Sequence, residues 1–197
     1  NGMFVALAAL TAALPLFLPV GIAAIAGDSI AGEASLGTLR YLLTVPVSRN
    51  RLLLHKFGAI AVFCAATTVL IAVVGIAVGW LLFPAGEITL LSGDQVSQAD
   101  GLARLALICG YIALSLAALG ALGLFISTLT EQPVGAMLIT LAITVVTEIV
   151  GAIDQLEALH PFLFVHYWTY YGDILRSPIV WDNIRDGVLV ALVHIAI

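Results

Sequence analysis

Long apolar stretches alternate with short polar connections along the chain. A helix that crosses the ~30 Å apolar core of a bilayer needs about 20 mostly apolar residues. Four stretches reach this length with at most one charged residue each, and a fifth is about half as long. These stretches are 3–26, 57–83, 105–126, 134–153 and 187–197. The pattern predicts an all-α, polytopic helical membrane protein that forms one transmembrane domain over residues 1–197.

The composition excludes a soluble domain. Hydrophobic residues make up 62% of the 197 residues and charged residues 10%, whereas soluble domains have roughly 45–50% and about 25%. So few charges cannot cover a surface in water, and so apolar a chain is not disordered. The net charge of −5 argues against nucleic-acid binding,. Cys64 and Cys109 lie in apolar stretches and lack the spacing of metal ligands,.

The basic residues predict an orientation in the membrane. Four of the seven Lys and Arg residues lie in the connection 27–56, which the positive-inside rule places in the cytoplasm. The aromatic and mostly acidic segment 154–186 then lies outside. The first stretch must run inward from outside, which implies a span before it. We therefore expect the chain to be the middle of a six-span protein, with the first span missing and the last one truncated.

The connection 27–56 has the pattern of an amphipathic helix followed by a proline turn. Leucines repeat at helical spacing on one face, and these are Leu36, Leu39 and Leu43. Glu33 is expected in an early turn, where it suits the helix dipole. Pro46 ends this helix, and Ser48 is the predicted N-cap of the next one. The pattern alone fits an interfacial anchor and a docking surface equally well.

The same connection carries a set of residues in a characteristic order. An acidic residue precedes Gly-Thr-Leu-Arg, a leucine pair, Pro-Val-Ser-Arg and a leucine run that ends in lysine. The matching residues are Gly37, Thr38, Leu39, Arg40, Pro46, Val47, Ser48, Arg49 and Lys56. This order resembles the cytoplasmic signature of ABC-2-type transporter permeases. The short connection 127–133 is similar to the family's link between its fourth and fifth helices.

The resemblance implies a six-helix permease of the ABC-2, type V exporter-like fold. In such exporters two permease subunits, identical or different, pair with two copies of a cytoplasmic P-loop ATP-binding subunit. The loop between the second and third helices couples permease to ATPase. Carried onto this chain, the coupling residues are Glu33, Leu36, Gly37, Thr38, Leu39, Arg40, Leu43 and Arg49. The resemblance also implies a bacterial plasma membrane and export of a drug, antibiotic or lipid.

The chain lacks the means to hydrolyse ATP by a P-loop. That loop needs G-x-x-x-x-G-K-[ST], and the only lysine, Lys56, follows His55. ATP and Mg are therefore expected on the partner subunit, with no cofactor on this chain and no enzymatic activity of its own. His160 and His166 do not have the HExxH spacing. A polar contact is the favoured interpretation for them over a zinc or copper site.

Several residues are candidates for a substrate pathway. The spans contain small polar side chains and one charge, Glu148, for which an interfacial or structural role is favoured over a proton relay. The segment 161–175 is rich in aromatic residues, which fits a belt at the membrane boundary better than an outer gate. The candidates for the pathway or gate are Thr67, Thr140, Thr144, Glu148, Phe164 and Trp168.

Two alternatives to an ATP-driven exporter remain open. A polytopic scaffold would bind a partner without transport, and an ion-gradient-coupled carrier would move substrate without ATP. Within the spans, Gly75 and Gly79 form a GxxxG pair that allows close helix packing,. Pro15 and Pro19 are expected to kink the first span, as a hinge or as a packing adaptation,.

Overall fold

The structure, a computed structural model, describes residues 2–38, 48–83 and 86–196. Its helices are α1 Met3–Ala13, α2 Phe17–Ser35, α3 Arg49–Leu82, α4 Gln98–Thr128, α5 Pro133–Gly151 and α6 Trp181–Ala196. The other elements are a hairpin, β1 Ile88–Thr89 and β2 Gln95–Val96, and two 3₁₀ segments, Asp154–Phe162 and Phe164–Leu175. Helices α2 to α5 are each long and apolar enough to cross a membrane. The predicted all-α polytopic fold is confirmed.

The first apolar stretch, 3–26, is broken into two helices. Proline has no amide hydrogen, so Pro15 and Pro19 leave the carbonyl oxygens of Thr11 and Pro15 without their helical donors. Between the helices Leu16 leaves the helical region, with φ −134° and ψ −57°. Helix α1 has 11 residues, which is about 16 Å and too short to cross a bilayer alone. The two helices together therefore cross the bilayer once, with a break between them.

Helix α2 continues well past residue 26 and stops at a glycine. Gly37 has φ +69°, in the left-handed region that glycine adopts without steric cost,. Its amide donates to Ala34 O over 3.0 Å, and the Thr38 amide donates to Glu33 O over 3.0 Å. These two bonds form a Schellman motif, in which the last carbonyls of a helix are satisfied by the residues that follow it. The helix therefore ends at Ser35.

This helix end corrects the prediction for the connection 27–56. Glu33 lies in the last turn of α2 and not in the first turn of a new helix, and Leu36 follows the helix. The predicted helical face at Leu39 and Leu43 falls within 39–47, outside the described residues. The predicted restart at Ser48 is confirmed, because α3 begins at Arg49 with Ser48 as its N-cap.

Helix α4 is the centre of the bundle. It packs against α2, α3, α5, α6 and the second 3₁₀ segment. It is the most buried of the four long helices, and α5 is the least buried. The largest fully buried side chains along α4 are aliphatic, namely Ile108, Ile112, Leu116 and Leu119. The protein core therefore follows one helix, as expected for a bundle whose outer faces meet lipid.

Helices α1 and α3 touch at backbone distance. A Cβ atom added at Gly75 would lie 2.5 Å from Ala6 Cα, and one added at Gly79 would lie 2.0 Å from Gly2 O. Only glycine fits at these two positions of α3. The GxxxG pair therefore has α1 of the same chain as its packing partner.

The bundle has two chemically different ends. We call the end with the Gly37 stop, the start of α3 and the α4–α5 link the loop side. The opposite end, with the hairpin and both 3₁₀ segments, is the aromatic side. There Arg104 on α4 donates to Arg176 O over 2.8 Å, and Leu91 in the hairpin turn donates to Leu175 O over 3.0 Å. These bonds anchor the end of the second 3₁₀ segment to the bundle.

The glycine contact predicts opposite effects for one substitution at two positions of α3. Gly75→Ala should destabilise the protein by about 1–3 kcal/mol, because the methyl group overlaps α1. Gly58→Ala places the same methyl group in open space and should stabilise the helix by about 0.5–1 kcal/mol. The test is to measure the thermal unfolding midpoint of each variant in detergent, with unfolding monitored by size-exclusion chromatography. Equal shifts for both variants would contradict the close α1–α3 contact.

Candidate functional site

An ion pair joins the two helices that border the predicted coupling connection. Lys56 Nζ, in α3, donates to Glu33 Oε1, in the last turn of α2, and each side chain is 26% exposed. The second carboxylate oxygen of Glu33 is buried and accepts no hydrogen bond from the described residues. The two ends of the connection are therefore held together at the loop side. This ion pair could not be predicted from the sequence, because no local pattern brings Glu33 next to Lys56.

The described coupling residues lie on an exposed rim beside this ion pair. Leu36 is 78% exposed, and Gly37, Thr38 and Arg49 are exposed as well. An apolar side chain with this exposure at the end of a membrane helix is available for contact with a partner or with the lipid surface. The remaining predicted members, Leu39, Arg40 and Leu43, lie outside the described residues.

A buried serine fixes α2 to α4 near the loop side. The Ser127 hydroxyl donates to Gly27 O over 2.7 Å. It accepts from the amides of Ile30 and Ala31 over 3.0 and 2.9 Å. A Cβ atom added at Gly27 would also lie 2.8 Å from the Met137 amide nitrogen in α5. Near the loop side, α2 and α5 are thus packed at backbone distance, and α2 is joined to α4 by buried hydrogen bonds.

A cavity of about 490 Å³ lies on the aromatic side, where the break between α1 and α2 meets the end of α5 and the second 3₁₀ segment. We call it the aromatic-side cavity. Its polar and aromatic lining residues are Thr11, Thr147, Glu148, His166, Trp168, Thr169, Tyr170 and Tyr171, and the apolar ones include Leu14, Pro15 and Val165. Two candidates from the sequence, Glu148 and Trp168, are brought together here.

Hydrogen bonds hold the aromatic rings of this cavity in place. The hydroxyl groups of Thr11 and Tyr171 are 2.6 Å apart, and that of Thr11 also donates to Leu7 O over 2.8 Å. The Tyr170 hydroxyl is 3.0 Å from His166 Nε2. Trp168 is only 3% exposed, yet its indole nitrogen has no acceptor among the described residues. The cavity thus combines fixed rings with one unpaired donor.

Burial lowers the pKa of His166, and His160 nearby lowers it further. The two imidazole rings are 5.1 Å apart, so a charge on one disfavours a charge on the other. His166 is therefore neutral at neutral pH. Among the described residues, no group of three or more His, Cys, Asp and Glu side chains is arranged to hold a metal ion.

The aromatic segment corrects the predicted membrane belt. Phe164, Trp168 and Tyr171 are buried inside the protein, so the belt interpretation is wrong for these three. The segment packs against α4 and α6, and the Tyr111 hydroxyl donates to Tyr167 O over 2.7 Å near the middle of α4. Phe162, which is 73% exposed, is free to meet lipid.

The remaining pathway candidates satisfy their hydroxyl groups within their own helices. Thr140 and Thr144 are buried in α5 and donate to Ala136 O and Thr140 O over 2.8 and 2.9 Å. Thr67, half-buried in α3, donates to Phe63 O over 2.8 Å. These hydroxyls are compatible with the membrane interior because no donor is left unpaired.

The fold defines a multi-pass helical membrane protein, and a comparison with known families identifies its class. A family model described as ABC-2 family transporter protein matches residues 3–163. This is more than half of the chain, so the chain belongs to the ABC-2 transporter family. Searches among curated proteins and among solved structures gave no match. The chain is therefore the membrane permease component of an ABC transporter, and membership of this family implies association with an ABC ATP-binding subunit.

The Ser127 bonds predict a large effect for a small change. Ser127→Ala removes a hydroxyl that bonds three backbone groups of α2, so it should destabilise the protein by about 1–3 kcal/mol. Ser115→Ala, in the same helix, is the matched control. Its buried hydroxyl bonds only Tyr111 O of its own helix, over 3.0 Å, and its loss should have little effect. Unfolding midpoints of the two purified variants test this difference, and a similar loss in both would contradict it.

The lowered pKa of His166 predicts acid sensitivity. An unfolded histidine titrates near pH ~6.5, so below that pH the unfolded state binds more protons than the folded state. Stability therefore falls as the pH drops through the unfolded pKa toward the lower folded pKa. His166→Gln should show a smaller loss of thermal stability between pH 7.5 and 5.5 than the wild type. If His166→Gln loses as much thermal stability as the wild type over this pH range, the attribution of the acid sensitivity to His166 is refuted.

Proposed function

We propose that this permease exports a hydrophobic or amphipathic compound, such as a drug, an antibiotic or a lipid, using ATP hydrolysed by its partner. The family match is the observation that carries this proposal. ATP and Mg are bound by the partner subunit. The aromatic-side cavity, which Glu148 and Trp168 line, forms part of the substrate pathway.

The coupling site lies at the loop side. The rim around Leu36 and Arg49 is exposed there, beside the Glu33–Lys56 ion pair that fixes the neighbouring helix ends. The Ser127 bonds connect the same end of α2 to the central helix. A force applied by the ATPase at this rim is therefore passed directly to α2 and α4. The coupling residues that we propose are Glu33, Leu36, Gly37, Thr38, Leu39, Arg40, Leu43 and Arg49.

The proposed assembly contains two permease subunits, identical or different, and two ATP-binding subunits in a bacterial plasma membrane. The loop side faces the cytoplasm, in agreement with the four basic residues of the connection 27–56 in the sequence,. Helix α5 is the least buried long helix and leaves an apolar surface for lipid or for the second permease. The exposed side chains of this surface are Val134, Leu138, Ile139, Val145, Val146 and Ile149.

Co-purification with the ATP-binding subunit tests the proposal. We expect the full-length permease, expressed together with the ATPase encoded beside it, to retain that subunit through purification from membranes. Arg49→Glu should lower the retained ATPase at least about tenfold, because reversing an interface charge costs several kcal/mol. The retained amount is measured by quantitative gel analysis, and ATP turnover of the complex is measured in parallel.

Arg185→Glu is the matched control, since Arg185 is exposed on α6 near the aromatic side. It should retain the ATPase at the wild-type level. Equal losses in the two variants would contradict a docking site at the loop side. Transport that follows an ion gradient and needs no ATP would replace the exporter with a carrier. Retention of a partner without any transport would favour a scaffold.

A further inference from the structure

Building on the proposed exporter function, we propose that the aromatic-side cavity binds a lipophilic organic cation as the transported compound. The structure places a carboxylate, aromatic rings and the carboxyl ends of two helices around one apolar space. Each of these groups favours positive charge, and together they distinguish the cavity from a general apolar pocket.

The charges around the cavity have one sign. Glu148 supplies a carboxylate, and the described lining contains neither lysine nor arginine. His166 adds no positive charge at neutral pH because its pKa is lowered. The lining therefore offers negative charge and no fixed positive charge that a cation would have to approach.

Two helix ends add to this field. Helix α1 ends at Ala13 and α5 ends at Gly151, and both ends border the cavity. The carboxyl end of a helix carries about half a negative charge from its last carbonyl groups. At α1, Pro15 cannot donate to the carbonyl of Thr11, so this oxygen lacks its helical partner at the end of the helix.

The aromatic rings supply the second recognition element. A cation over the face of a tryptophan or tyrosine ring is attracted by the ring quadrupole, most strongly when water is excluded. Trp168 is buried, and Tyr170 and Tyr171 are held by hydrogen bonds to His166 and Thr11. Because the rings are fixed before binding, little conformational entropy is lost when a ligand enters.

The size and lining of the cavity select an organic cation over a metal ion. Its volume of about 490 Å³ lies within the roughly 300–1,000 Å³ that is typical of small-molecule sites. Leu14, Pro15 and Val165 contribute apolar surface. The described residues contain no group of three metal-binding side chains. A bulky cation with apolar substituents is complementary both to the negative charge and to the apolar surface of this cavity.

Tetraphenylphosphonium and tetraphenylborate test the proposal, because they have nearly the same size and shape and opposite charges. We expect equilibrium dialysis of the purified full-length permease to show saturable binding of tetraphenylphosphonium. Tetraphenylborate should bind at least about tenfold more weakly, a difference of about 1.4 kcal/mol. Equal affinities for the two ions would overturn the proposal.

Variants locate the binding site. Glu148→Gln should raise the Kd for tetraphenylphosphonium about tenfold, whereas Glu157→Gln, an exposed acid on the same side, should leave it nearly unchanged. Tyr170→Leu removes a ring and should raise the Kd about fivefold, while Tyr170→Phe keeps the ring but loses the bond to His166 and should raise the Kd by a smaller factor. An unchanged Kd in both Glu148→Gln and Tyr170→Leu would overturn the proposed site.

These experiments distinguish a failure of the cation proposal from a failure of the exporter function. If Glu148→Gln does not fold, as judged by size-exclusion chromatography, the charge preference of the wild type and the Tyr170 pair decide the question. The dialysis uses neither ATP nor the partner. Retention of the ATPase without charge-selective binding would overturn the cation assignment and leave the exporter function intact. If the permease binds the cation selectively but retains no ATPase in the co-purification, the role of the cation as an exported compound would be overturned.

Discussion

Inside a bilayer, every backbone amide and carbonyl group must find its hydrogen-bond partner within the protein. Regular helices meet this constraint by themselves, and most of this chain is helical. Two irregular parts, the break at Pro15 and the second 3₁₀ segment, meet where the hydroxyl groups of Thr11 and Tyr171 are 2.6 Å apart. The second 3₁₀ segment also packs on α4, and its residues Trp168 and Tyr171 are buried in the protein. The aromatic-side cavity lies between these two irregular parts.

The two ends of the bundle are joined by continuous helices. Helix α2 runs from the break beside the cavity to the Glu33–Lys56 ion pair, and α5 runs from the loop side to Glu148. These two helices pack against each other along their lengths. The exposed rim at one end and the cavity at the other are therefore connected by a pair of continuous, packed helices.

The sequence specified the helices well because long apolar runs leave few alternatives in lipid. The prediction from sequence was wrong where the same residue type occurs in two different structural settings. Glu33 was expected near the amino end of a helix because the helix dipole favours a carboxylate there, and only Gly37, a preferred stop residue, pointed to the actual helix end,. A segment with buried aromatic residues such as Trp168 has the same aromatic-rich composition as a belt at the membrane boundary, so composition does not distinguish the two. The cavity joins Thr11 to Tyr171, and no local pattern predicts a contact over that separation.

The break at Pro15 also separates two helices that pack against different partners. Helix α1 contacts α3 through the glycines Gly75 and Gly79, whereas α2 packs on α4 and α5 and is joined to α4 by Ser127. The two halves of one membrane crossing thus belong to different parts of the bundle. Residues 14–16 are therefore the only backbone link between the helix bound to α3 and the helix bound to α4 and α5 within the first apolar stretch, and Leu14 and Pro15 of this link line the cavity.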